Sequence, residues 1–211
     1  MDIVQSIKKH MIVAVIRKAD ETNIISIIDA LYKGGVKAVE ITAETRHVTK
    51  LIEMAVKEFN GKVAIGAGTV LDAETARAVI MAGAEFIVSP TLNPDTIKIT
   101  NRYGITNISG ALTPTEILTA YEHGADMVKV FPADAFGPDY IKNIHGPLPH
   151  IPIMVTGGIT LDNMNEYVSK GSNAVGIGGS LVNVSRLQTE DDYKRLSSEA
   201  SRFVDKIKEV K

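Results

Sequence analysis

The chain has 211 residues, 45 % hydrophobic and 23 % charged, with a formal net charge of −2 at pH 7. These values fit one globular domain and exclude a mainly disordered or fibrous chain. Scattered basic residues and near-neutral charge leave no footprint for nucleic acid or an anionic membrane surface. There is no Cys, which removes disulfides, thiolate nucleophiles, Cys-ligated zinc and iron–sulfur clusters. Aromatics are 5 % and Trp is absent, so the core must be aliphatic. No apolar run approaches the ~18 residues of a membrane span, and the short one near the N-terminus lacks a cleavage site. The expectation is a cytoplasmic protein with no membrane partner.

In chain order, residues 1–10 read as a short leading helix whose Ile3, Val4 and Ile7 are placed to plug the bottom of a barrel. Eight short runs rich in Val and Ile then recur, at 12–16, 38–41, 63–65, 86–88, 105–108, 127–130, 153–155 and 174–177. They do not alternate with polar residues, as expected of parallel strands covered on both faces. Their spacing of roughly 20–26 residues suits one strand–helix unit each. Between them Ile24, Ile27, Ile28 and Leu31 share a helical face, as do Val48, Leu51, Ile52 and Ala55, and again Ala76, Val79 and Ile80. Gly34-Gly35-Val36, Ala82-Gly83-Ala84, His123-Gly124-Ala125 and Lys170-Gly171-Ser172 close helices, with Gly in a left-handed turn. Residues 190–210 read as the last helix, with Thr189 as N-cap.

Eight such units predict an α/β fold, a (β/α)8 TIM barrel forming a single domain over 1–211 with a short N-terminal helix. The alternative is a doubly wound open sheet, which carries a Gly-rich turn after its first strand. Here that turn is Arg17-Lys18-Ala19-Asp20, without Gly.

Barrel chemistry sits at the C-terminal ends of the strands, so polar or Gly-rich exceptions there are the candidates. Lys129 interrupts the sixth run, between Val128 and Val130. Burial disfavours the ammonium, and a free amine on a rigid strand is what Schiff-base chemistry needs. The bland alternative is a lysine snorkelling to solvent. Glu40 interrupts the second run, where a desolvated carboxyl can act as general acid and base. Its bland alternative is a structural ion pair, with Lys129 as one partner. The last two runs end in Thr156-Gly157-Gly158-Ile159 and Gly176-Ile177-Gly178-Gly179-Ser180. Backbone N–H groups freed by Gly, ahead of a helix N-terminus, make an anion cradle where barrels hold phosphate. Gly66-Ala-Gly-Thr69-Val ends the third run; it is either a ligand-approach site or a tight turn with Thr69 as N-cap.

The five histidines, His10, His47, His123, His145 and His150, read as surface or loop residues without ligand spacing, so no metal is expected.

Val39-Glu-Ile-Thr42, Gly66-Ala-Gly-Thr-Val70, Val88-Ser-Pro90, Lys129-Val-Phe-Pro-Ala133, Thr156-Gly-Gly-Ile159 and Gly178-Gly-Ser180 stand in order along nearly the whole chain. Together they resemble the 2-keto-3-deoxy-6-phosphogluconate (KDPG) and 4-hydroxy-2-oxoglutarate aldolases. The resemblance implies a homotrimer, no cofactor and a metal-free class I mechanism. It implies that Lys129 forms the Schiff base, that Glu40 is the general acid/base, and that Thr69 and Pro90 line the pyruvate pocket. It also implies that Gly157, Gly158, Gly179 and Ser180 hold the substrate phosphate, with Thr156 and Gly178 among the substrate-binding residues and Arg17 placed to help with an anion. The partners implied are a phosphorylated keto acid and pyruvate.

Two positions depart from the family pattern. Four residues after the strand-2 Glu, where the family commonly has a carboxylate-binding Arg, stands Glu44, with Arg46 two further on. Arg17 or Arg46 then takes the carboxylate, or the acid specificity differs. Ser109-Gly110 stands where Pro-Gly is common, before Thr113-Pro-Thr-Glu116. The alternatives left open are the galactonate epimer (KDPGal) as substrate, a phosphosugar epimerase, isomerase or decarboxylase that forms no imine, and a non-enzymatic phosphometabolite-binding protein.

Overall fold

The computed structural model describes residues 2–210, so Met1 and Lys211, the ends of the predicted domain, lie outside the described residues. The strands are β1 Ile12–Ile16, β2 Ala38–Thr42, β3 Ala64–Gly68, β4 Phe86–Val88, β5 Thr106–Ala111, β6 Met127–Val130, β7 Ile153–Thr156 and β8 Ala174–Ile177. They pair in sequence order, all parallel, and β8 returns to β1 with Val13 opposite Gly176, closing the barrel. The open-sheet alternative is thereby excluded. The helices are α1 Ile3–His10, α2 Ile24–Lys33, α3 Val48–Phe59, α4 Ala73–Met81, α5 Pro94–Tyr103, α6 Pro114–Glu122, α7 Asp139–His145, α8 Met164–Ser169 and α9 Glu190–Lys208.

All eight predicted runs became strands, but β3 and β5 run further than the apolar pattern, through Gly66–Gly68 and Ser109–Ala111. Ladder pairing carries them: Gly68 pairs with Thr42, and Gly110 with Lys129. Hydrophobicity does not report such backbone pairing.

Side chains alternate along each strand. Ile12, Ala14, Val39, Ile41, Ile65, Val128, Val155 and Val175 belong to the large apolar layer with the helices. Val13, Ala38, Ala64, Phe86, Ile108, Met127, Met154 and Ala174 form a second cluster inside the barrel, joined by Val4 and Ile7 of α1. The leading helix is therefore the plug that its apolar face predicts. Ile7 is 1 % exposed, a burial worth about 1.5–3 kcal/mol. Asp2 caps α1 by accepting from the Val4 N–H.

The helix-closing glycines divide by role. Gly35, Gly83, Gly124 and Gly171 have φ between 94° and 110°, as expected. Gly34 is right-handed, and a Cβ there would lie 2.5 Å from the Cβ of Ala200. Its missing side chain lets α2 pack closely on α9. Thr189 caps α9 in a reciprocal box with Asp192, whose carboxylate is held low chiefly by its hydrogen bonds to Thr189. Among the described residues, no helix is long and apolar enough to cross a membrane.

Candidate active site

Glu40 stands two residues after the inward-facing Ala38, and Lys129 two after the inward-facing Met127. Period-2 alternation therefore aims both polar groups into the barrel. Lys129 Nζ lies 4.0 Å from Glu40 Oε1, with the side chains only 3 % and 1 % exposed. Neither Glu40 oxygen has a hydrogen-bond partner among the described residues. Burial pushes the Glu40 carboxyl above its ordinary value; the charges of Lys129 and Arg17 pull it down, and that of Glu44 adds to the rise. Burial dominates, which suits a group that must exchange protons rather than one locked in an ion pair.

Glycines make the room. A Cβ on Gly68 would lie 2.5 Å from Glu40 Oε1, so the carboxyl occupies space that any other residue would fill. A Cβ on Gly110, the register partner of Lys129, would lie 2.2 Å from the carbonyl carbon of Pro90. Pro90 is thus brought against the strand beside the lysine. A Cβ on Gly176 would lie 2.2 Å from Thr156 Oγ1. The Thr156 hydroxyl is buried without a hydrogen-bond partner among the described residues.

Thr69, just past β3, has φ 56°, a left-handed conformation rare for a β-branched residue and typical of strained functional loops. It is not an N-cap: Asp72 caps α4. Arg17, at the end of β1, donates from Nη1 to Thr69 Oγ1 at 3.4 Å and pairs with Glu44 through the same nitrogen.

A cavity of about 260 Å³ opens beside these groups, lined by Arg17, Phe131, Thr156, Gly157, Gly158, Gly178, Gly179 and Ser180 among others. Gly157 and Gly158 need their positive φ of 97° and 69°. At Gly179, by contrast, a Cβ would meet nothing within 4 Å, and at Gly178 only Val15 at 3.9 Å. There the absent side chains leave open volume rather than relieve strain. The Ser180 hydroxyl donates to Ile159 O at 2.6 Å, tying the β8 loop to the β7 loop.

One expectation about this cradle fails. No helix N-terminus follows Gly178–Ser180 directly: Leu181 and Val182 donate back to Gly178 O, and only a 3-10 turn, Val184–Arg186, comes next. After Gly158 the chain turns, with Asn163 donating to Gly158 O, and α8 starts at Met164. The cradle is built by loops. Arg46 is exposed on the β2–α3 connection and does not line this cavity; neither do Thr69 and Pro90, which stand at the ends of β3 and β4.

Phe131 was not singled out by the sequence reading. Its ring centre is 5.1 Å from Lys129 Nζ, so it bridges the amine and the cavity. Its position two residues after Lys129 was the available signal. Four other cavities among the described residues are larger. Two of about 470 Å³, one lined by α1 and the strand starts and one between α2 and α9, do not meet the C-terminal strand ends, and neither does one of about 300 Å³ between α4 and α5. The fourth, of about 330 Å³, lies between the β8 loop and α9 and shares Gly179 and Ser180 with the glycine-rich cavity. Among the described residues, no group of three or more His, Asp or Glu is placed to hold a metal.

A buried amine facing a buried carboxyl, near the C-terminal mouth of a closed parallel barrel, is the arrangement of an enzyme site of the (β/α)8 class. The chain matches the model of the KDPG and KHG aldolase family over residues 3–198. It is 35 % identical to the 2-dehydro-3-deoxy-phosphogluconate aldolase of Pseudomonas aeruginosa, over 94 % of this chain and 91 % of that one. It is 32 % identical to the 2-dehydro-3-deoxy-6-phosphogalactonate aldolase of Escherichia coli K12, over 96 % of this chain and 97 % of that one. Among solved structures, the KDPG aldolase from Legionella pneumophila with pyruvate captured as a covalent carbinolamine superposes with a TM-score of 0.87. It shares 25 % identity and covers 94 % of this chain and 96 % of that one. The chain belongs to the KDPG and KHG aldolase family and is a carbon–carbon lyase.

Proposed function

We propose that a single (β/α)8 domain cleaves 2-keto-3-deoxy-6-phosphogluconate to pyruvate and glyceraldehyde 3-phosphate, through an imine on Lys129. The observation that carries this reading is the Lys129–Glu40 pair, buried and 4.0 Å apart at the mouth of the barrel. The Lys129 amine adds to the C2 carbonyl, giving a carbinolamine. Glu40 supplies the proton with which the hydroxyl leaves as water, and the iminium forms. Glu40, now ionised, takes the C4 hydroxyl proton. The C3–C4 bond breaks, its electron pair forming the C2–C3 double bond as the iminium pair moves onto nitrogen to give an enamine, while C4 becomes the aldehyde. Protonation at C3 and hydrolysis return the amine and release pyruvate. Covalent catalysis divides one hard step into easier ones, and acid–base help is worth about 10²–10⁴-fold.

Thr69 and Pro90 line the pyruvate end in this reading. Thr156, Gly157, Gly158, Gly178, Gly179 and Ser180 take the phosphate with Arg17; the open volume at Gly178 and Gly179 supports that assignment. Arg46 is left as a candidate for the carboxylate, brought in only by loop movement. Cleavage of 4-hydroxy-2-oxoglutarate to pyruvate and glyoxylate by the same pair is a side activity. The galactonate epimer is the second reading for substrate, favoured by the similarity to the Escherichia coli phosphogalactonate enzyme. The proposal includes a homotrimer in the cytoplasm. Large exposed apolar side chains such as Met81 and Phe136, 64 % and 60 % exposed, are ones a partner subunit would cover.

The test is borohydride reduction in the presence of pyruvate, read by intact mass and peptide mapping. A pyruvate adduct on Lys129 supports the reading, and its loss in Lys129→Ala with turnover lost beyond a hundredfold completes it. A folded protein that forms no adduct overturns it. Coupled assays with the two epimeric phosphosugar acids then decide the substrate.

A further inference from the structure

Glu44 stands where the family commonly has a carboxylate-binding arginine, and the structure gives this carboxylate a definite partner. Arg17 is the one cationic side chain among the residues lining the glycine-rich cavity. The same Arg17 Nη1 that reaches Thr69 is taken by Glu44. Both side chains are partly open to solvent, 48 % and 44 % exposed, so the pair stands at the mouth rather than in the core. A second carboxylate stands close by: a Cβ on Gly158 would lie 2.5 Å from Asp134 Oδ2. An anion entering the cavity therefore meets backbone, hydroxyls and an already neutralised guanidinium, with negative charge on two sides.

We propose that Glu44 is a specificity-determining residue that occupies Arg17, limits its hold on the substrate's terminal phosphate, and so lets the enzyme accept an uncharged sugar-acid tail beside a phosphorylated one. This deepens the proposed aldolase reading and rests on it. The physical reason is competition. A guanidinium bonded to a fixed carboxylate must give up that bond, or share it, before it can bind a phosphate oxygen. The pair is too exposed to be strong, so the competition tunes affinity without closing the site. Both charges are also near enough to act on Glu40 in opposite directions.

The experiment compares kcat/KM for 2-keto-3-deoxy-6-phosphogluconate and for 2-keto-3-deoxygluconate in wild type, Glu44→Gln, Arg17→Gln and the double variant. Inorganic phosphate serves as a competitive inhibitor. Freed from Glu44, Arg17 binds phosphate better. Glu44→Gln should raise the preference for the phosphorylated substrate by roughly three- to fivefold and tighten phosphate inhibition by a similar factor. The gain should vanish in the Arg17→Gln background. A preference that is unchanged or lower in Glu44→Gln overturns the proposal. So does a gain that persists without Arg17, which would make it the direct effect of Glu44's own charge. Equal shifts for both substrates would assign Arg17 to the carboxylate end and also overturn it. Borohydride trapping with pyruvate, run on the same variants, separates the two levels. An adduct on Lys129 with no change in preference removes only the role of Glu44; no adduct in wild type removes the aldolase reading itself.

Discussion

Gly68→Ala tests the placement of Glu40 without replacing Glu40 or Lys129. The new methyl would lie 2.5 Å from Glu40 Oε1, 2.7 Å from Cδ and 3.1 Å from Cγ, whereas ordinary contact begins at 3.4 Å. The carboxyl must therefore retreat by about 0.9 Å from where it faces Lys129. The atoms displaced are the far end of a flexible side chain, so the fold should tolerate the change. The chemistry should not: a misplacement of about 1 Å costs on the order of 10²-fold in rate. The expected result is a melting temperature close to wild type, kcat/KM down by about a hundredfold, and slower pyruvate trapping on Lys129. Gly66→Ala, one alternation earlier, is the control. Its methyl would meet the Phe86 ring at 2.5 Å, inside the packed lower barrel. There overpacking should cost about 1–3 kcal/mol of stability. If Gly68→Ala keeps activity within threefold while remaining folded, the position of Glu40 is not what the reaction depends on, and its assignment as acid/base fails.

The alkaline limb of kcat/KM should report Glu40. Its carboxyl is raised by burial and restrained by Lys129 and Arg17, and the iminium forms with a proton taken from it, so activity is lost as pH rises through that raised value. Arg17→Gln should move the limb to higher pH and Glu44→Gln to lower pH; a limb that stays in place in both variants would assign it to another group. The stability sign is the same. Protonated Glu40 contributes most below its ordinary value of 4.5, and this contribution is lost as pH rises through the raised one. Gly179→Ala should leave the melting temperature unchanged, since no atom lies within 4 Å, while raising KM for phosphorylated substrate several-fold. An unchanged KM would take that volume out of the phosphate site. Ser180→Ala should likewise raise KM by a few-fold, by loosening the bond to Ile159 O that ties the two loops. Thr189→Ala should cost about 1 kcal/mol through loss of the α9 cap, read by denaturant unfolding, with kcat intact.

The strand and helix content, and the polar exceptions within it, were legible in the residues alone. Apolar runs, helical faces and caps are local properties, and desolvation makes a Lys or Glu inside such a run conspicuous wherever the chain goes. The family motifs added roles to those positions, but not distances. Closure of β8 on β1 and the inter-strand register were decided only in three dimensions, because these strands are buried on both faces and carry no polar–apolar alternation that would fix a register. That register brings Glu40 and Lys129 together from β2 and β6. It also decides which glycines are obligatory, since Gly68 and Gly110 are ordinary turn-formers in sequence and are required only by what lies against them. The expected helix behind Gly178–Ser180 proved to be a loop, since two N–H groups fold back onto a single carbonyl. The pairing of Arg17 with Glu44 likewise needed the fold. An ion pair between two strand-end loops depends on where the barrel places them, and no spacing along the chain announces it.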